Sequence, residues 1–190
     1  MVTSMLLIAD THVPKRARDL PAALWRDIER ADIVVHAGDW VDLDLVDAVR
    51  VRARRLVGVR GNNDGPSFDG VLPTEARFEV EGVRVAVVHE TGAAAGRDRR
   101  MIAAFPDVDV LVFGHSHIPW DSVAVDVDGR RLRLLNPGSP TDRRRQPTCT
   151  WMRVQVDPRL GGADGLRVEL VRRDEARREV HSRHQLRNGV

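Results

Sequence analysis

Val108-Asp109-Val110-Leu111-Val112-Phe113-Gly114-His115-Ser116-His117 is the stretch from which the fold is read. Only Asp109 interrupts its first six apolar positions, the pattern of a strand buried on both faces, as in a parallel sheet covered by helices. Gly114 lets the backbone turn out of the sheet, and His115 and His117 arrive at the strand's carboxyl end. In open α/β sheets ligands bind along that edge. A His-x-His pair can hold one ion or address two neighbouring ions, but surface histidines are common and the motif alone is weak.

The rest of the chain repeats the arrangement. Residues 5–9 form an apolar run ending in Asp10-Thr11-His12, and residues 33–36 end at Gly38-Asp39. Residues 56–59 lead into Arg60-Gly61-Asn62-Asn63-Asp64. Between these strands, Leu20, Leu24 and Ile28 recur every four residues in a helix that Asp19 would cap, with Pro21 in its first turn. Residues 43–50 read as a second helix. The first third is therefore βαβαβ, a parallel sheet with crossover helices.

The rhythm then changes. Strands at 76–80 and 83–88 flank Glu81-Gly82, a hairpin turn, and the second ends at His89-Glu90. A helix over 97–105 stops at Pro106. After His117, strands at 122–127 and 131–135 meet at Asp128-Gly129, and Asn136-Pro137-Gly138-Ser139 closes the pair. The last strand candidates are 148–156 and 167–171. Residues 1–172 read as one domain. Residues 173–190 read as a charged tail or a frayed helix, with Asp174 and Arg178 spaced as an i,i+4 pair.

A formal charge of only +2 gives no footing for specific nucleic-acid binding. The single cysteine, Cys149, rules out an intramolecular disulfide, so a cytoplasmic location is expected. The 5–9 run is too short for a signal segment or a membrane span. The sequence is compatible with a homo-oligomer.

Metal-competent side chains thus sit at five strand ends: Asp10 and His12, Asp39, Asn62, His89, then His115 and His117. They converge only if the carboxyl ends lie side by side. The mixed nitrogen and oxygen set suits Mn, Fe, Co, Ni or Zn better than Ca or Mg, and exceeds what one tetrahedral ion needs. Two ions sharing a carboxylate is the economical arrangement.

In this order, Asp10-x-His12, Gly38-Asp39, Gly61-Asn62-x-Asp64, His89 and Gly114-His115-x-His117 resemble the calcineurin-like metallophosphoesterase superfamily. The Asn136-Pro137-Gly138-Ser139 motif resembles its compact bacterial and archaeal phosphodiesterase branch. The resemblance covers roughly residues 5 to 140. It implies a four-layer α/β/β/α sandwich with mixed sheets and the site at the sheets' carboxyl edge. It also implies two divalent transition-metal ions, with manganese the first choice. One would take Asp10, His12, Asp39 and His117; the other would share Asp39 and add Asn62, His89 and His115. The implied catalytic residues are Asp39, Asn62, Asn63 and His89. The implied activity is hydrolysis of a small phosphodiester or nucleotide by a metal-bridging hydroxide. A phosphomonoesterase or phosphoprotein phosphatase is the enzymatic alternative, and a non-catalytic metal-binding scaffold the other.

Two positions depart from the family pattern. Asn63 stands where many members carry a histidine that serves the leaving group, and an amide cannot give up a proton at neutral pH. Glu90 stands where relatives usually place glycine, and is read as a substitute ligand or an orienter of a ligand. Several residues have blander roles: His36 as a satisfied core histidine, Asp64 as a loop-fixing acceptor and Ser139 as part of a turn. Lys15-Arg16 and Arg143-Arg144-Arg145 read either as solvated charge or as holders of an anion.

Overall fold

The computed structural model describes residues 2–176. Its ten strands are β1 (Thr3–Ile8), β2 (Ile33–Ala37), β3 (Leu56–Val59), β4 (Glu75–Val80), β5 (Val83–Val88), β6 (Val110–Val112), β7 (Trp120–Val125), β8 (Arg131–Asn136), β9 (Thr150–Val156) and β10 (Leu166–Arg172). Three α-helices, α1 (Ala22–Arg30), α2 (Leu43–Arg52) and α3 (Arg97–Ala104), join them.

The strands make two mixed five-stranded sheets, ordered β10-β9-β1-β2-β3 and β4-β5-β6-β8-β7. Within them β1, β2 and β3 run parallel, as do β5, β6 and β8. Side-chain alternation explains the layers. Met5, Leu7, Val35 and Ala37 point inward against Val85, Val87, Val110, Val112 and Leu135 of the other sheet. Leu6, Ile8 and Val34 point the other way, onto Leu24 and Ile28 of α1 and Leu45, Val46 and Val49 of α2. On the far side Ala86, Leu111, Leu132 and Leu134 pack against Ile102 and Phe105 at α3. This is the expected four-layer α/β/β/α sandwich, and it explains why central strands are apolar at consecutive positions: both faces are covered.

Two local expectations change. Asp19 does not cap α1, because the helix begins at Ala22, beyond its reach, with Pro21 at the cap. Asp19 instead accepts from the backbone of Leu20 and the indole N–H of Trp25. The strand expected over 108–113 is regular over Val110–Val112, while Asp109 and Phe113 continue its backbone hydrogen bonds to Arg84, Arg133 and Leu135. The Glu81-Gly82 turn forms as expected, with both residues at positive φ (50° and 76°). Residues 173–176 begin a helix. The Asp174–Arg178 pairing falls partly outside the described residues. Among the described residues no helix is long and apolar enough to cross a membrane.

Candidate metal centre

Because β1, β2 and β3 in one sheet and β5, β6 and β8 in the other bring their carboxyl ends to one side, the loops after them meet there. Five of the seven candidate ligands, Asp10, His12, Asp39, His115 and His117, adopt left-handed backbone with φ between 45° and 68°. Such conformations cost energy in residues with a Cβ and cluster where geometry serves a site. Close approach of the loops demands glycine. A Cβ on Gly38, itself at φ +88°, would lie 2.7 Å from His89 Nδ1, and one on Gly114 would lie 2.9 Å from the Ala37 carbonyl.

All seven candidates are brought together. His12 Nε2 and His117 Nε2 are 3.1 Å apart, and Asp10 Oδ1 is 3.5 Å from His117 Nε2. Nearby, Asn62 Oδ1 lies 2.9 Å from His89 Nε2 and 3.0 Å from His115 Nδ1. Asp39 stands between these groups. Its Oδ2 is 3.4 Å from His12 Nε2, and its Oδ1 is 3.4 Å from His89 Nε2.

Hydrogen bonds fix which ring nitrogens face inward. His117 Nδ1 donates to the Asp142 carbonyl at 2.7 Å, and His89 Nδ1 donates to the Ala37 carbonyl at 2.7 Å. A carbonyl only accepts, so both rings carry hydrogen at Nδ1, and in the neutral tautomer Nε2 offers a lone pair to the centre. Burial pushes His117 down to about 4 and also lowers His12, so these rings are neutral at pH 7, the form that binds metal.

The oxygens respond to the same crowding. Burial pushes Asp10 up to about 8 despite the His89 charge, and its buried Oδ2 has no hydrogen-bond partner. Burial works against the Asp39 carboxylate too. The His89 hydrogen bond and charge, with the Asn63 N–H groups, outweigh it and hold Asp39 below the usual carboxylate range. The same bond raises His89 against its own burial. The oxygens around His89 thus favour positive charge at this position. Lone pairs and carboxylates converging on one buried volume, with one oxygen unpartnered, are the chemistry of a cation site, and these residues fit divalent ions. Two of the possible three-donor groupings are Asp10, His12 and His117, and His89, Glu90 and His115; within each, the ligand atoms lie within 4.8 Å of one another.

The remaining candidates take supporting places. Asn63 donates to both Asp39 oxygens, from its backbone at 2.8 Å and its amide at 2.7 Å. One of its two amide N–H groups is thus taken by Asp39. Asp64 accepts from the backbone N–H of Asp39, Val41 and Gly61, tying the β2 and β3 loops together as expected. His36 accepts from Gly38 N, faces Thr11 Oγ1 at 3.1 Å and stacks on Trp40, a satisfied core histidine. Ser139 donates to the Asp10 carbonyl and receives Asp142 N, a turn rather than a nucleophile. Of the basic loops, Arg144 reaches the centre's rim, donating to the His115 carbonyl at 3.2 Å. The carbonyls of Ala37 and Asp142 escaped sequence reading, since orientation by a backbone oxygen leaves no side-chain signal. Asn136 holds the His-x-His loop by donating to the Gly114 carbonyl; the Asn-Pro-Gly-Ser motif was its trace.

Comparison with known proteins identifies the family and the fold. Residues 4–159 match the model of the calcineurin-like phosphoesterase superfamily domain. A probable metallophosphoesterase of Methanocaldococcus jannaschii is 34% identical over 157 residues, covering 81% of this chain and 76% of that protein. A Thermotoga maritima protein solved by NMR is 32% identical with a TM-score of 0.67, covering 90% of this chain and 99% of its own. Vps29 of Entamoeba histolytica, solved with zinc, shares the fold at 24% identity and a TM-score of 0.65, over 90% of this chain and 99% of its own. With more than two-thirds of its length matched by the family model, the chain belongs to the calcineurin-like phosphoesterase superfamily.

Proposed function

We propose that this chain is a dinuclear metal-dependent phosphodiesterase acting on small phosphodiesters or nucleotides. The observation that carries the reading is Asp39, a buried carboxylate whose two oxygens face different donor groups. Asp10, His12, Asp39 and His117 would hold one divalent ion; Asp39, Asn62, His89 and His115 would hold the other. Manganese is the first choice, with Ni, Co, Fe or Zn compatible with the mixed donors. Bound there, two such ions would supply Lewis acidity toward phosphoryl oxygens and activate coordinated water.

The chain's own residues set the rest. Asn62 contributes an oxygen without charge, which leaves the centre more attractive to an anion than a carboxylate would. The carbonyls of Ala37 and Asp142 hold His89 and His117 in the tautomer that presents Nε2. Asn63 fixes the shared carboxylate, and as an amide it gives no proton to a leaving group. We therefore expect a preference for esters whose leaving groups need little protonation. The alternative, a phosphomonoesterase, draws on Arg144, whose guanidinium at the rim would help bind a dianion.

The test is hydrolysis of bis-p-nitrophenyl phosphate against p-nitrophenyl phosphate by chelator-stripped protein resupplied with Mn, Ni, Co, Zn or Mg. Metal-restored turnover favouring the diester is expected. Preference for the monoester would move the assignment to a phosphatase. No turnover with any metal, in protein that binds two ions, would leave a scaffold.

A further inference from the structure

The two donor groups differ in how open they are. Asp10, His12 and His117 are buried. His115 and Glu90 stand half exposed, their side chains at 49% and 52% of full exposure. A molecule arriving from solvent therefore meets the centre over His115 and Glu90. Glu90 Oε1 lies 3.2 Å from His115 Nδ1, the nitrogen that also faces Asn62 Oδ1. Its carboxylate is within 4.8 Å of a ring nitrogen of His89 as well. Among the described residues Glu90 has no lysine or arginine partner. The rim thus carries both the Arg144 guanidinium and the Glu90 carboxylate, each in contact with His115.

We propose that Glu90 is a specificity-determining residue of this centre, selecting phosphoryl groups that carry one negative charge over those that carry two. The proposal rests on the phosphoesterase reading above and names the substrate class within it. Every ester that binds through the open side brings its phosphoryl oxygens close to this carboxylate, well inside the ~8–10 Å over which salt screens charge. A diester monoanion meets that repulsion once. A monoester or inorganic phosphate, dianionic near pH 8, meets it twice. The seven ligands assigned above do not include Glu90, although its carboxylate lies within 4.8 Å of ring nitrogens of His89 and His115, so metal content is the first reading the variant must pass.

The experiment uses the full chain and the variant Glu90→Gln, which keeps the size and polarity of an exposed side chain. Both are stripped, reloaded with manganese, and their metal content per chain determined. Calorimetric titration at about pH 8 then gives dissociation constants for inorganic phosphate and for dimethyl phosphate. The variant should keep two ions, bind inorganic phosphate about tenfold more tightly, and bind dimethyl phosphate about threefold more tightly than the parent. An unchanged phosphate constant, or an equal gain for both anions, overturns the proposal. Loss of an ion from the variant overturns it too, because Glu90 would then be a ligand. Failure of the parent protein itself to bind two ions or to hydrolyse either ester class would instead defeat the phosphoesterase reading, so the two failures are separable.

Discussion

Asp39→Ala should leave a folded protein that no longer holds two ions, with turnover reduced by at least about 10³-fold, the scale on which lost charge stabilisation acts in a transition state. Asp39 faces both donor groups, with each oxygen 3.4 Å from a different histidine. The fold should tolerate the change. The backbone of Asp39 is held independently: its N–H is bound by Asp64 and its carbonyl receives His12 N. The Asn63 groups left without their acceptor are exposed enough for water to replace it. Because the His89 and Asn63 interactions outweigh the burial cost of this carboxylate, its removal should lower the thermal midpoint of chelator-treated protein without unfolding it. Elemental analysis, circular dichroism and the diester assay on the same sample check this. Retained turnover in the variant is incompatible with a shared carboxylate.

The largest expected stability effect lies at the next residue. Trp40 is fully buried, its indole N–H donates to the Val59 carbonyl at 2.9 Å, and its ring stacks on His36 with centroids 3.5 Å apart. Gly58 makes the space: a Cβ there would come within 2.9 Å of the indole. Trp40→Ala opens a cavity under the β2 and β3 ends and orphans a carbonyl. It should cost about 3–5 kcal/mol, a large share of the ~5–15 kcal/mol of a typical domain. For a chain of this size that is roughly a 6–20 °C fall in thermal midpoint. Trp40→Phe should recover much of the packing but not the hydrogen bond. Urea unfolding of the metal-free proteins is the check, and a loss below about 1 kcal/mol for Trp40→Ala would show that the ring is not a packing element.

The parts of this molecule that were legible in the sequence share one cause. Central strands such as Val110–Val112 and Ile33–Ala37 are covered on both faces, so they appear as continuous apolar runs, and the residue ending each run marks the sheet's edge. The ends of these runs are Asp10, Asp39, Asn62, His89 and His115, which a shared sheet edge brings together. The division into two sheets was less legible. Nothing in the apolar runs of β2 and β5 says that they face one another across a core, and only the family resemblance points that way. Helix α1 shows the limit of cap signals: Asp19 precedes a proline and a periodic run, yet its carboxylate serves Trp25 instead.

Within the site, residue type was readable and role was not always. Asn63 stands, by the family resemblance, where a leaving-group histidine is usual, and its bond to Asp39 has no trace in the sequence. The tautomers of His89 and His117 depend on carbonyls from distant loops, and the left-handed backbone at Asp10, His12 and Asp39 depends on how those loops cross. Long-range backbone geometry of this kind has no signature at a single position.

The most direct test of the central claim is a crystal of the manganese-loaded protein with anomalous diffraction measured to locate each ion. Two peaks are predicted, one among Asp10, His12 and His117, the other among Asn62, His89 and His115, with Asp39 contributing an oxygen to each. A single peak, or two peaks with Asp39 touching only one, would contradict the shared-carboxylate centre.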